Sequence, residues 1–274
     1  MIAVFTAVVP EAKALLEQLK RKGISVKRAD AGNLPLWECD DGGILLAVTG
    51  TGEIASAVAA ARVLTRYPAD FAVNFGTAAG TDPVSSVFVI DKITEETTGK
   101  DFYPGIVWRT PFEERALKTV AAPAAAADSG ALTDMEGAGF FQAANRFLTS
   151  DRIILLKVVS DAGVSGRVTA ESLRQACAGA SEAVTEYILW LEKAADAVRQ
   201  ETKPENPDAW AQAEDDLHGS EAMRQRLRRI LRWQELSGQD PGGLLKRLYE
   251  NGDLPAENKR KGKEVLERIE REIL

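Results

Sequence analysis

Short apolar runs alternate with longer amphipathic stretches over the first two thirds of the chain. Ile2-Ala3-Val4-Phe5 is a compact apolar run, and the stretch opened by Pro10 and continuing to about Lys20 carries apolar residues at helical spacing, which predicts strand then helix. Gly43 to Val48 reads as a second strand, leading through Thr49-Gly50-Thr51-Gly52 into an alanine-rich helix from Ile54 to Thr65. Phe71 to Phe75, Val87 to Ile93 and Ile153 to Val159 are further apolar or β-branched runs, whereas Met135 to Phe147 and Ala170 to Ala195 have helical spacing. Strands alternating with helices in this way predict an α/β domain with a largely parallel or mixed sheet.

The pattern changes at Arg199. Residues 199–208 are polar and hold two prolines, the signature of a linker, and everything after them reads as helix. The predicted organisation is therefore an α/β domain at 1–198, a linker at 199–208 and a helical extension at 209–274. In the extension Met223, Leu227, Ile230 and Leu231 share one helical face while Arg224, Arg228, Arg229 and Arg232 crowd the others. From Arg199 onward, 15 Lys and Arg face 16 Asp and Glu, so these arginines have acidic partners close at hand and a solvated or contact face is expected rather than a DNA-binding one. The alanine-rich stretch Ala121 to Ala127, broken by Pro123, is expected to be a loop.

Charge narrows the chemistry. A formal charge of −7 opposes a general affinity for nucleic acid and leaves small molecules as the expected partners. No apolar run reaches the roughly 20 residues that cross a bilayer, and no signal segment opens the chain. Cys39 and Cys177 lack the spacing of a metal or redox pair, so a reducing cytoplasmic setting is expected. His218 is the only histidine, which disfavours a Ser-His-Asp triad and a histidine-rich metal site. No metal and no cofactor is expected, and carboxylates are left to do any acid-base work.

Thr49-Gly50-Thr51-Gly52-Glu53-Ile54-Ala55 after a strand could be the glycine turn of a dinucleotide site. That reading needs an acid closing the next strand, and Phe71 to Phe75 ends instead in Gly76-Thr77-Ala78-Ala79-Gly80. These two glycine turns, with Asp134-Met135-Glu136-Gly137-Ala138 and Val159-Ser160-Asp161, follow the order and rough spacing of one superfamily. Over about Met1 to Ala195 the chain resembles the purine nucleoside phosphorylase and uridine phosphorylase superfamily, above all 5′-methylthioadenosine/S-adenosylhomocysteine nucleosidase. The resemblance implies a three-layer α/β/α domain with a central mixed sheet, of the phosphorylase/hydrolase-like kind, and an N-glycosidase that acts on a nucleoside.

It also implies roles. Glu11 stands where the nucleosidases carry the carboxylate that activates water, although a first-turn glutamate stabilised by the helix dipole would look the same. Glu136 matches the acid that accepts the ribose 2′ and 3′ hydroxyls, since a carboxylate can take both protons. Asp161 matches the general acid for the leaving base, with Ser160 orienting it. Met135, Gly76, Thr77 and Thr51 match positions around the sugar.

Phosphorylases of the superfamily hold phosphate with arginines in the first loop and just before the Gly-Ser/Thr turn. Here those places read Ala7-Val8-Val9-Pro10-Glu11 and Asn74-Phe75-Gly76-Thr77, which favours water, unless Arg62 or Arg109 enters from elsewhere. The region from Ile93 to Asp134 is shorter than in a typical nucleosidase, and Phe102 and Tyr103 there serve either as an aromatic lid or as buried residues of a surface loop. The resemblance further implies a homodimer. A reading of another class is a noncatalytic nucleoside-binding or scaffold protein with a partner-binding helical tail.

Overall fold

The structure is a computed structural model that describes residues 1–29, 32–123, 130–161, 169–201 and 206–273. It divides into two compact units, Met1–Ala197 and Val198–Leu274. In the first unit the elements run β1 (Ile2–Thr6), α1 (Val9–Arg21), β2 (Val26–Ala29), β3 (Leu36–Cys39), β4 (Ile44–Val48), α2 (Glu53–Arg66), β5 (Phe71–Ala79), β6 (Val87–Glu95), β7 (Lys100–Phe102), β8 (Glu113–Thr119), β9 (Ala131–Asp134), α3 (Gly137–Ala144), β10 (Ile153–Asp161) and α4 (Ala170–Glu201). The second unit holds α5 (Pro207–Asp216), α6 (Glu221–Leu236), α7 (Pro241–Glu250) and α8 (Lys259–Ile273).

The apolar runs become strands because both sheet faces are covered. Along β1, Ile2 and Val4 join one core cluster and Ala3 and Phe5 the other, as the two-residue strand period requires. The first cluster is completed by Leu15 and Leu19 of α1 and Val184, Ile188 and Leu191 of α4; the second by Val63 of α2 and Phe140 of α3. This is the expected three-layer α/β/α arrangement around a mixed sheet.

The sheet branches at β5. Residues Phe71 to Asn74 pair in parallel with Ile2 to Phe5 of β1, but beyond Asn74 the two strands part. On its other flank β5 stays parallel with β10 along most of its length, and at Ala79 it meets Thr133 of β9 in antiparallel pairing. Since β10 pairs β6, β6 pairs β8 and β8 pairs β9, five strands close into a ring that includes β5.

Several elements differ from the sequence pattern. The helix expected from Met135 to Phe147 starts at Gly137 and ends at Ala144, with Asp134 at the end of a strand. Strands β2, β3, β7, β8 and β9 are short or carry too many charges for periodicity to single them out; β8 reads Glu-Glu-Arg-Ala-Leu-Lys-Thr. Phe102 packs against Phe141 of α3 at 5.9 Å between ring centroids, while Tyr103 is exposed. Residues 199–201 continue α4 and residues 207–208 open α5, with 202–205 outside the described residues. Most of the loop expected at Ala121 to Ala127 also lies outside them.

The second unit has its own core, in which Trp210, Leu227, Leu231, Leu245 and Leu266 are buried together. The four apolar positions singled out on α6 all face it.

Close packing of α2 on α3 depends on Gly139. A Cβ there would lie 2.3 Å from the Glu53 carbonyl oxygen, which is backbone and cannot rotate away. Gly139→Ala is expected to lower stability by about 1–3 kcal/mol, the usual cost of overpacking. The check is a lower urea midpoint at unchanged m value; an unmoved midpoint would refute the close-approach argument.

Candidate active site

The carboxyl ends of β1, β4, β5 and β10 gather the two glycine turns and Ser160-Asp161 at one edge of the sheet, where open α/β sheets place their ligands. Glu11 arrives there from the first turn of α1 and is 2% exposed. One oxygen, Oε2, accepts from the backbone N–H groups of Ala7 at 2.9 Å and Val8 at 3.1 Å, which closes the loop into the helix. The other, Oε1, accepts from the Thr77 backbone N–H at 2.8 Å and the Thr77 hydroxyl at 2.9 Å. That N–H belongs to the part of β5 from which β1 has withdrawn, so the carboxylate supplies an acceptor that the sheet no longer does. Helix capping and a place in the site therefore coexist in one side chain, through different oxygens.

Glu136, 6% exposed, precedes α3. Its Oε1 accepts from the Gly52 N–H at 2.7 Å. Gly52 has φ 96° and ψ 157°, a conformation essentially restricted to glycine, and this aims its N–H out of the β4–α2 turn. The turn that could have cradled a pyrophosphate thus gives this amide to the protein's own carboxylate. Gly50 donates to the Ala7 carbonyl at 3.1 Å, tying the same turn to the loop that holds Glu11.

Lys157, which no sequence motif singled out, and Asp134, which opens the motif that holds Glu136, connect these acids. Lys157, in the middle of β10, is 1% exposed; its Nζ donates to Asn74 Oδ1 at 2.6 Å and pairs with Asp134 Oδ2 at 2.8 Å. Asn74 is therefore the hydrogen-bond partner of a buried cation. Asp134 Oδ2 also accepts from the Gly137 N–H at 2.8 Å, and Asp134 Oδ1 accepts from the Thr119 hydroxyl at 2.7 Å. Thr119 Oγ1 in turn accepts from the Ala138 N–H at 3.0 Å. Asp134 and Thr119 thereby cap α3 and fix the helix entrance where Glu136 stands. The signal available in the sequence was a lone lysine inside an apolar strand, Ile-Ile-Leu-Leu-Lys-Val-Val, a place where an unpaired charge is not tolerated.

The electrostatics follow from this enclosure. Burial pushes the Glu136 carboxyl above the ordinary carboxylate range, and Asp134 adds to the rise; Lys157 and the Gly52 N–H pull it back. Burial also works against the Lys157 charge, but Asp134, Glu136 and Glu11 outweigh it and hold the ammonium above its ordinary range. Glu53, next to Gly52, is raised by burial and then by Glu95 and Asp134.

The remaining predicted positions sit around this centre. Gly76 lies over it: a Cβ there would be 3.4 Å from Glu11 Oε1 and 3.6 Å from Lys157 Nζ. Asp161 is four residues beyond Lys157 on β10 and in register with Ala79 of β5. Its Oδ2 accepts from the Ser160 hydroxyl at 2.7 Å. Met135 is half-buried between Asp134 and Glu136, and Thr51 is exposed beside Gly52. Arg62 donates to Asn33 Oδ1 at 3.1 Å and lines a groove that it shares with Thr49, Gly50 and Thr51. Among the described residues no His, Cys, Asp and Glu cluster forms a metal site, and no helix is long and apolar enough to cross a membrane.

No sequence-family profile and no curated protein sequence matches this chain. Solved structures do. A 5′-methylthioadenosine/S-adenosylhomocysteine nucleosidase from Neisseria meningitidis, in complex with methylthio-immucillin-A, is similar at TM-score 0.58 and 19% identity, covering 69% of this chain and 97% of its own. The corresponding nucleosidase of S. pneumoniae gives 0.59 and 16%, covering 69% and 99%. Futalosine hydrolase of Helicobacter pylori gives 0.55 and 11%, covering 69% and 97%. The first unit shares the fold of these solved structures.

The Lys157–Asp134 pair carries a testable cost. Lys157→Met is expected to destabilise the protein by about 3–5 kcal/mol, because Asp134 is left buried without its cation. Adding Asp134→Asn should recover part of that loss, so that the double variant is more stable than additivity allows. Urea unfolding of the four proteins measures it, and strict additivity would show that the two groups are not coupled.

Proposed function

We propose that this protein hydrolyses the N-glycosidic bond of a purine nucleoside or a 5′-substituted adenosine and releases the free base. The observation that carries the reading is that Glu11 and Glu136, 125 positions apart in the chain, converge on one buried lysine: a Cβ on Gly76 would lie 3.4 Å from Glu11 Oε1 and 3.6 Å from Lys157 Nζ. Lys157 pairs with Asp134, two residues before Glu136, and Asp161 lies farther along the same strand. The likeness of the fold to nucleosidases supports it.

In this reading Glu136 accepts the ribose 2′ and 3′ hydroxyls: Gly52 occupies one acceptor position and a carboxylate has about four. Gly76, Thr77, Thr51 and Met135 border the sugar. Asp161, held by Ser160, gives a proton to the base as the bond from C1′ to the base nitrogen breaks and its electron pair leaves with the base. Water adds its oxygen to C1′ and passes a proton to Glu11. All four acceptor positions of Glu11 are filled by protein donors, and only the Thr77 hydroxyl can rotate away, so Thr77 yields its place on Oε1 to the water.

Charge favours this course over phosphorolysis. Glu11, Asp134 and Glu136 around Lys157 leave formal negative charge in excess, which suits the positive character that the sugar gains in glycoside cleavage and repels an incoming phosphate dianion. The working form in this proposal is a cytoplasmic homodimer. Two buried free cysteines and the exposed Ile54 and Val58 on α2 support that assignment.

Base release from adenosine, inosine, methylthioadenosine and adenosylhomocysteine, with and without phosphate, is the direct assay. Release that ignores phosphate is expected. Release that requires it would assign phosphorolysis instead, and no release from any substrate would overturn the proposal. Glu11→Gln and Asp161→Asn should each cut turnover about 10²–10⁴-fold, the usual range for acid-base groups, and Asp161→Asn should leave the melting temperature close to that of the wild type.

The pH profile offers a separate check. Glu136 must be ionised to accept both hydroxyls, and its pKa lies above the ordinary range, so kcat/KM should rise with pH through an acid limb displaced upward from about 4.3. Glu136→Gln should remove that limb along with most of the binding. A limb that persists in Glu136→Gln would assign it to another group.

A further inference from the structure

The second unit presents two complementary surfaces on different sides of α6. Met223, Leu227, Ile230, Leu231 and Gln234 face the core. At 3.6 residues per turn, Glu235 falls on one flank of that face, and Arg229, Trp233 and Leu236 fall together on the other side of the helix. Trp233 is 40% and Leu236 71% exposed, side by side at the end of the helix. An exposed tryptophan beside an arginine has the composition of a binding hot spot, and Leu236 extends the apolar patch next to it.

The Glu235 flank borders a groove of about 510 Å³ between α5, α6 and α7. Its wall is mostly apolar, with Ala209, Trp210, Pro241, Leu245 and Tyr249, and its charged members are Asp240, Glu235, which pairs with Arg232, and Lys246, which pairs with Glu250. The charges match across the two surfaces. Of the five arginines of α6, Arg224, Arg226, Arg228 and Arg232 pair with Asp215, Glu270, Glu214 and Glu235; among the described residues Arg229, beside the Trp-Leu pair, has no ion-pair partner. Asp240, beside the groove, has none either.

We propose that copies of this chain associate head to tail through this unit, with Trp233 and Leu236 of one copy entering the Trp210–Tyr249 groove of the next and Arg229 meeting Asp240. In this head-to-tail arrangement the pair of one copy and the groove of the next meet without reciprocal exchange, so the contact is heterologous. Each copy added leaves one surface of each kind free, so growth continues until a ring closes or the chain runs out of material. Burial of the indole and isobutyl groups supplies the attraction, and the charge pair sets the register.

Light scattering and sedimentation of the full chain over rising concentration test this. The mass of the wild type should grow with concentration beyond any fixed oligomer. Leu236→Glu should stop that growth with the circular dichroism and melting temperature unchanged. Arg229→Asp and Asp240→Arg should each reduce growth alone, whereas their equimolar mixture should restore it, because every junction in an alternating chain then pairs opposite charges. A misfolded variant could not be rescued in this way. A wild-type mass that stays fixed up to the solubility limit, growth that persists in Leu236→Glu, or a mixture no different from its components would overturn the proposal.

Discussion

An ammonium group shut away from water survives only where anions and hydrogen-bond acceptors surround it, and Lys157 meets that condition at the centre of the first unit. The pairing with Asp134 is the constraint on which the local architecture rests. Asp134 must end β9 at the height of Lys157, and it can then bond the amide of Gly137 and start α3. Once α3 starts there, Glu136 has no freedom to point elsewhere, and its oxygen finds the one amide that the glycine turn exposes. Asn74 takes another proton of the ammonium, which ties β5 to the same point. Removing the cation would leave three carboxylates crowded in a poorly solvated space. The lysine is thus both the cohesive element of this corner and the reason that its acids can be held so near one another.

What the sequence disclosed depended on how local its physical cause was. The strands β1, β4, β5 and β10 are buried on both faces and read as continuous apolar runs, so pattern alone located them. The helices α1 and α2 announced themselves by Pro10 and by a glycine turn. By contrast β8 and β9 owe their existence to partners in the ring, and nothing in Glu-Glu-Arg-Ala-Leu-Lys-Thr favours a strand on its own. The acids Glu11 and Glu136 stood out because of their neighbours in short motifs. Asp134 stood in the same motif as Glu136 but without a role, and Lys157 did not stand out, because the pairing that explains both spans 23 positions. The division of labour between the two oxygens of Glu11 was equally invisible, since it arises from β5 leaving β1 at Asn74.

Glycine is used in this corner for approach more than for turning alone. Gly139 lets α3 lie against the backbone of Glu53, and Gly137 fits beneath Leu117 with Asp134 and Thr119 close by. The first contact brings α3 against the start of α2, and the second seats the entrance of α3 against β8.

The ring of five strands has a bearing on how the chain acquires its structure during synthesis. Its last member, β10, comes from residues 153–161, whereas its hub, β5, is complete by residue 79. A nascent chain that has emerged only as far as α3 can assemble the β1 side of the sheet, but one flank of β5 stays bare and its apolar residues lack their cover. Domains form from the amino end as translation proceeds, and contacts between distant segments are the slow ones. The emerging polypeptide therefore passes through an interval in which an aggregation-prone strand edge awaits its mate, and this interval, rather than the finished fold, is where a chaperone would find something to hold.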